Sequence, residues 1–345
     1  MRLLRAALAL SALIATAPAA AQRAVPAVHR GFTDPAEHRV LRVSVAPDVA
    51  LEVLDWGGSG PALVFLAGFS NTGHVFDTFA PRFTGSFRVV TLTRRGLGTS
   101  DRPNPGPYDA ATLAADVKAV LDTLGIARAN LVGYSFGGTE MSYFAAAYPE
   151  RTARIVYLDS YCGGCDTLAP RRRRPPIRPA GPALQDRDTL TAEGMMAYQR
   201  RTMGFSYPEA ELRLINHYEN GTVRTAVPAF VWQALGRGVP HPGLAKIAAP
   251  ALAIFAERST VEHEFWWARR MNPAVRALAQ VYVDVVTENR RASQDHFIRA
   301  LPNAHAAVIP GAHHAIFLSH PDETERLIRE FLLAPPMDST RSANR

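Results

Sequence analysis

Short apolar runs recur along the chain and alternate with stretches of helical periodicity. Val40 to Val45 and Leu51 to Trp56 read as two strands, followed by the turn Gly57-Gly58-Ser59-Gly60-Pro61. Ala62 to Leu66 is apolar throughout, as a strand covered on both faces should be, and Arg88 to Thr93 repeats the pattern. Leu113 to Leu124 carries apolar residues at helical spacing and stops at Gly125. Asn130 to Gly133 and Ile155 to Leu158 read as further buried strands, with a helix over Gly137 to Tyr148 between them, closed by Pro149. This alternation predicts an α/β fold with a mostly parallel sheet flanked by helices.

The rhythm breaks near Ser160. Residues 166–188 are rich in Pro and Arg, and three helical stretches then follow without strands between them. Ser206 with Pro208 behind it reads as the start of the middle one. After Pro250 the alternation resumes: Ala251 to Phe255 as a strand, a long helical region, Ala304 to Ile309 as a strand, and a helix from Asp322 to Leu333. The expected organisation is a core over 22–159, an inserted helical cap over 160–248, and the rest of the core over 249–345. Residues 261–300 are a longer excursion than such a core requires, and the pattern gives no account of them.

Composition narrows the setting. With 47% hydrophobic and 20% charged residues among 345, the chain is globular and long enough for a sizeable core. Arg2 and Arg5 precede an apolar stretch from Ala6 to Ala17, and Ala19-Ala20-Ala21 precedes Gln22. That is the form of a cleaved signal peptide over residues 1–21, its apolar part too short for a span of about 20 residues. The expectation is a periplasmic or secreted protein. In that compartment Cys162 and Cys165 read as a small local disulfide. No second pair stands at metal-ligand spacing, so no metal is expected. The net charge of +7 lies partly in the leader and in Arg171 to Arg174, a run before Pro175-Pro176 that reads as a solvated lid edge. No nucleic-acid module is recognisable, and membrane contact is not expected.

Candidate chemistry enters with Gly133-Tyr134-Ser135-Phe136-Gly137, a G-x-S-x-G set between a strand and a helix. The turn must be so tight that only small residues can flank the serine, whose hydroxyl then projects above the sheet at a helix N-terminus. Such a hydroxyl needs a base. Ile309-Pro310-Gly311-Ala312-His313-His314 follows the last strand, and His314 is the candidate, with His313 able to exchange roles with it.

On these motifs the chain resembles the α/β-hydrolase superfamily over residues 40–334. The resemblance extends to Phe65-Leu66-Ala67-Gly68-Phe69 and to Arg95-Gly96-Leu97-Gly98-Thr99-Ser100-Asp101. It implies an oxyanion hole from the backbone N–H groups of Phe69 and Phe136, and a structural role for Asp101. It also implies an acid after the strand at Ala251, where Phe255-Ala256-Glu257-Arg258-Ser259-Thr260 has Ser259 in place of aspartate. Asp159, at the end of the preceding strand, occupies the alternative acid position of some members. Glu257 is the second candidate, and Glu262, Asp284 and Glu288 remain open. The aromatic residues Phe265-Trp266-Trp267, Phe205 and Trp232, with Met195-Met196, either line an acyl pocket or simply pack lid on core. The expected function is hydrolysis of a small-molecule carboxylic ester or lactone, with no organic cofactor implied. An amidase or peptidase, or a non-catalytic binding protein of the same fold, are the alternatives, and the oligomeric state is not legible.

Overall fold

The computed structural model describes residues 34–160, 173–219, 222–237 and 243–335. The signal peptide expected over 1–21, Cys162 and Cys165, and Arg171 and Arg172 lie outside the described residues. The chain opens with an antiparallel pair, β1 (Arg39–Ala46) and β2 (Val49–Gly57), then β3 (Ala62–Leu66) and β4 (Arg88–Leu92). Helix α1 (Ala110–Thr123), β5 (Ala129–Tyr134), α2 (Phe136–Ala147) and β6 (Thr152–Leu158) follow. The two cap strands, β7 (Asn216–Glu219) and β8 (Thr222–Thr225), come next, and the last core strands are β9 (Ala251–Glu257) and β10 (Ala304–Pro310). All eight core strands form one sheet in the order β1-β2-β4-β3-β5-β6-β9-β10. From β4 onward its neighbours pair in parallel.

Why β3 is apolar at every position is visible in its two faces. Val64 and Leu66 join the core beneath α1 and α2, with Val117, Val120, Met141 and Phe144. Leu63 and Phe65 join the opposite core, where the Phe65 ring lies 5.1 Å from Phe76 and 5.6 Å from Phe83. Each of these fully buried side chains contributes roughly 1.5–3 kcal/mol relative to exposure.

The insertion between β6 and β9 differs from expectation in one respect. Its helices α3 (Asp186–Thr189), α4 (Ala192–Met203), α5 (Glu209–Ile215) and α6 (Ala229–Gly236) enclose a hairpin of β7 (Asn216–Glu219) and β8 (Thr222–Thr225). The cap is therefore not purely helical. Tyr218 and Val223 pair across the hairpin, and the Asn220-Gly221 dipeptide between the strands is a hairpin signal in the sequence. The middle helix begins at Glu209 with Pro208 at its cap rather than at Ser206, whose hydroxyl accepts from Arg200.

The excursion over 261–300 is α7 (Val261–Glu264) and the 28-residue helix α8 (Pro273–Ala300). Asn272 caps α8 by accepting from the Val275 N–H at 2.9 Å, and Pro273 fits its first position. The helix buries Phe297 against Tyr157 at 4.9 Å between ring centroids, so it covers the sheet where β6 and β9 meet. Helices α9 (Ile316–Ser319) and α10 (Pro321–Leu333) close the other face, Phe317 stacking on Phe76 and Phe79.

Candidate active site

Between β5 and α2 the chain turns through Ser135 at φ 52° and ψ −119°. A non-glycine residue there costs about 1–3 kcal/mol and needs surrounding structure to hold it. The Ser135 N–H donates to Leu158 O at 3.2 Å, and its carbonyl accepts from the Gly138 N–H and the Ser160 hydroxyl. A Cβ on Gly133 would stand 2.7 Å from Gly137 O, and one on Gly137 would stand 2.1 Å from Leu66 O. Both glycines are thus required by close backbone approach, not by φ.

His314 follows β10, and its Nε2 lies 3.0 Å from the Ser135 Oγ. Its Nδ1 lies 2.7 Å from Asp159 Oδ2. Asp159 follows β6 in a left-handed conformation, φ 42°, and is 6% exposed. Its backbone N–H donates to Ile254 O at 2.8 Å, and its Oδ1 accepts from the Ala256 N–H at 3.0 Å. The carboxylate from β6 is therefore braced by the backbone of β9, the strand from which the acid was first expected. One oxygen is held by main chain while the other faces the imidazole.

The rival acids are elsewhere engaged. Glu257 pairs with Arg291 of α8 and does not line the cavity around Ser135, so the structure does not bring it into the site. Its side chain leaves β9 toward α8 instead. Glu262 pairs with Arg276, and Asp284 accepts from Gln280 at 2.7 Å. Glu288 lies on α8. His313 is packed edge-on against Phe205 at 5.1 Å, and its Nδ1 accepts from the Ala315 N–H. Burial, with Arg258 and His314 nearby, pushes its pKa down to about 4. It is a neutral packing residue, and His314 is the imidazole facing the serine.

Phe69, Phe136, Thr139 and Ser160 line a cavity of about 310 Å³ together with Ser135, Asp159 and His314. Phe136 is the first residue of α2, whose opening N–H groups have no acceptor within the helix. The Phe69 ring packs edge-on to Phe136 at 5.3 Å and against Trp232 of α6 at 4.9 Å. Of the aromatic residues considered for an acyl pocket, Trp232 thus reaches a cavity residue. Phe265 is instead buried in a separate cluster with Val261, Ala279 and Val283.

Two buried carboxylates carry roles the motifs did not reveal. Arg94 donates to Gly68 O at 3.1 Å, to Ala67 O at 2.9 Å and to Glu140 Oε2 at 2.7 Å. Its guanidinium sits 4.8 Å over the Phe136 ring. The Gly68 carbonyl and the Phe69 N–H belong to one planar peptide, so a bond that fixes the first also fixes the direction of the second. Burial raises the Glu140 carboxyl, and Arg94 opposes that rise. Glu211 of α5 accepts from the Asn71 side chain at 2.7 Å and from the Thr72 N–H and hydroxyl. It clasps the cap to the loop that carries Phe69, and burial pushes its pKa up to about 7. The available signal for Glu140 was a lone charge inside α2, whereas Glu211 stands in α5 between Glu209 and Arg213 and had no such signal. Asp101 is structural as expected, pairing with Arg42 and accepting from the Ala50 N–H.

Comparison with known proteins agrees with this architecture. The family described as alpha/beta hydrolase fold matches residues 61–257, more than half of the chain. A 2-(acetamidomethylene)succinate hydrolase of Mesorhizobium japonicum is 34% identical over 102 residues, 30% of this chain and 36% of that enzyme. The chain thus matches only about a third of the length of that relative. A pimeloyl-[acyl-carrier protein] methyl ester esterase of Aeromonas hydrophila subsp. hydrophila is 26% identical over 80% of this chain and 96% of its own. Among solved structures, an esterase from Rhodococcus sp. superposes with a TM-score of 0.57 at 20% identity, covering 86% of this chain and 98% of that one. Sheet order, elbow and family match lead to one conclusion: the chain belongs to the alpha/beta hydrolase fold family.

Proposed function

We propose that this protein is an exported serine hydrolase that cleaves a carboxylic ester, or the internal ester of a lactone, through an acyl-enzyme on Ser135. The observation that carries the proposal is the unbroken relay Ser135–His314–Asp159, at 3.0 and 2.7 Å. In the reaction the Ser135 Oγ attacks the carbonyl carbon as His314 Nε2 takes its proton. The tetrahedral oxyanion is held by the N–H groups of Phe69 and Phe136, and Asp159 stabilises the imidazolium. Collapse expels the alcohol, which takes the proton from His314. A water activated by the same imidazole then releases the acid and frees Ser135.

The methyl ester esterase relative, which spans most of the chain, supports an ester over an amide substrate. The alternative of a non-catalytic binding protein drew its support from the missing acid after β9, and Asp159 removes that support.

Fluorophosphonate labelling of the purified protein, read by intact mass, tests the proposal. One adduct is expected, absent in Ser135→Ala, with p-nitrophenyl esters turned over faster than the p-nitroanilide of the same acyl group. A folded protein that takes up no adduct refutes an activated serine, and faster anilide cleavage replaces the esterase with an amidase. Export predicts that protein recovered from the periplasm or medium begins at Gln22.

A further inference from the structure

Around His74, in the single 3-10 turn Gly73–Phe76, a second group of acids and imidazoles converges. None of its members lines the cavity around Ser135. His74 Nδ1 lies 3.1 Å from Asp34 Oδ2 and 3.1 Å from Asp77 Oδ2. His38 brings its ring to 5.5 Å from that of His74, and one ligand atom from each of Asp34, His38 and His74 lies within 4.8 Å of the other two. The Asp77 side chain is 4% exposed.

Not every polar atom here is satisfied by the protein. His38 Nδ1 and Asp77 Oδ1 are buried without a hydrogen bond, while Asp34 Oδ2 has His74 as its ion-pair partner. Buried polar atoms are rarely left so, and a cluster of them asks for an unplaced partner. The charge points the same way. Asp34, Glu52 and Asp77 meet at one place, and among the described residues their ion pairs with each other's surroundings run only to His74.

From this juxtaposition we infer that Asp34, His38, His74 and Asp77 form a zinc site, separate from the catalytic cavity, that clips the segment before β1 to the turn after the Phe69 loop. Two imidazoles with two carboxylates are a donor set suited to zinc. A tetrahedral ion with bonds of about 2.0–2.1 Å holds its ligand atoms roughly 3.3 Å apart, close to the two separations already present at His74. The ring's other nitrogen, Nε2, faces Glu52 Oε1 at 3.8 Å, and Glu52 is itself held by the Thr93 hydroxyl at 2.6 Å and by Thr99. A carboxylate behind the far nitrogen is the usual way a metal-bound imidazole is oriented. No spacing signal marks this set, because the pairs Asp34/His38 and His74/Asp77 stand far apart in the chain and meet only in the folded protein.

The test uses the full chain, treated with EDTA and dialysed, then titrated with zinc against a chromophoric chelator while thermal unfolding is followed. One zinc per chain and a rise in melting temperature are expected. His38→Ala and Asp77→Asn, checked for folding by circular dichroism, should each weaken binding at least tenfold and abolish the rise. Replacing Cys162 and Cys165 with serine should leave both unchanged. Cobalt(II) should give the intense visible absorption of a tetrahedral centre. A melting temperature indifferent to zinc overturns the inference and leaves His74 as a hydrogen-bonded imidazolium shared by Asp34 and Asp77. Zinc bound equally by His38→Ala and the parent overturns it too, because the ion would then sit elsewhere. Neither outcome bears on Ser135 labelling.

Discussion

Replacing Asp159 with asparagine is the sharpest single perturbation of the proposed relay, because it changes one charge and almost no volume. The side-chain oxygen can still accept from Ala256, but the amide group then faces His314 Nδ1. That nitrogen must become an acceptor, which puts the ring proton on Nε2, facing Ser135 as a donor. The base is lost by tautomer. The charge effect has a similar size. A carboxylate 2.7 Å from the imidazolium gains about 6 kcal/mol at an effective dielectric of 20. His314 has a side chain 39% exposed, so solvent screening trims this to about 4–6 kcal/mol. At 1.36 kcal/mol per decade that is a loss of about 10³–10⁴ in kcat/KM on a p-nitrophenyl ester. Glu257→Gln breaks only the pair with Arg291, exposed on the arginine side, and should leave the rate within about twofold. Both variants should melt within a few degrees of the parent. An Asp159→Asn variant keeping more than a tenth of parental kcat/KM, or a hundredfold loss in Glu257→Gln, refutes the assignment of the acid.

Arg94→Met should lower kcat by about 10² with little change in KM, since it frees the Gly68–Phe69 peptide. It also strands Glu140 and should cost about 3–5 kcal/mol of stability. The double variant Arg94→Met/Glu140→Gln should recover the melting temperature but not kcat, and recovery of both would reduce Arg94 to a structural residue. Glu211, raised to about 7 from an ordinary 4.5, favours the fold most when protonated. Its contribution is fully present below about pH 4.5 and lost as pH rises through 7, about 3 kcal/mol in all. Glu211→Gln should therefore gain in melting temperature relative to the parent between pH 5 and pH 8, and a pH-independent difference would contradict the burial argument. His314→Ala should abolish ester turnover by about 10⁴ or more, while His313→Asn should retain it within tenfold. The reverse pattern would exchange the two imidazoles.

The sequence alone determined the elements whose signal is local. β3 reads as a buried strand because it is apolar at every position, and the elbow reads as a turn because glycines flank Ser135 on both sides between a strand and a helix. Ser135 and His314 were legible for the same reason, each standing at a strand end with its own motif. The cap hairpin was hidden by brevity, since strands of four residues carry little periodicity beside the helices around them. The long excursion before β10 became intelligible only as α8 covering the sheet at Phe297.

What the tertiary structure decided is everything that depends on two strands meeting. Asp159 and Glu257 were both reasonable acids by position. Of the two, it is Asp159 that faces His314, because the β6–β9 pairing sets the Ala256 N–H under its second oxygen, while Glu257 leaves β9 toward Arg291. Arg94, Glu140 and Glu211 follow the same logic, their partners lying far off in sequence and near only once the sheet and cap close. Local chemistry names a candidate nucleophile and a candidate base. Long-range pairing selects the group that orients the base, because only a folded core can desolvate a charge and place its partner beside it.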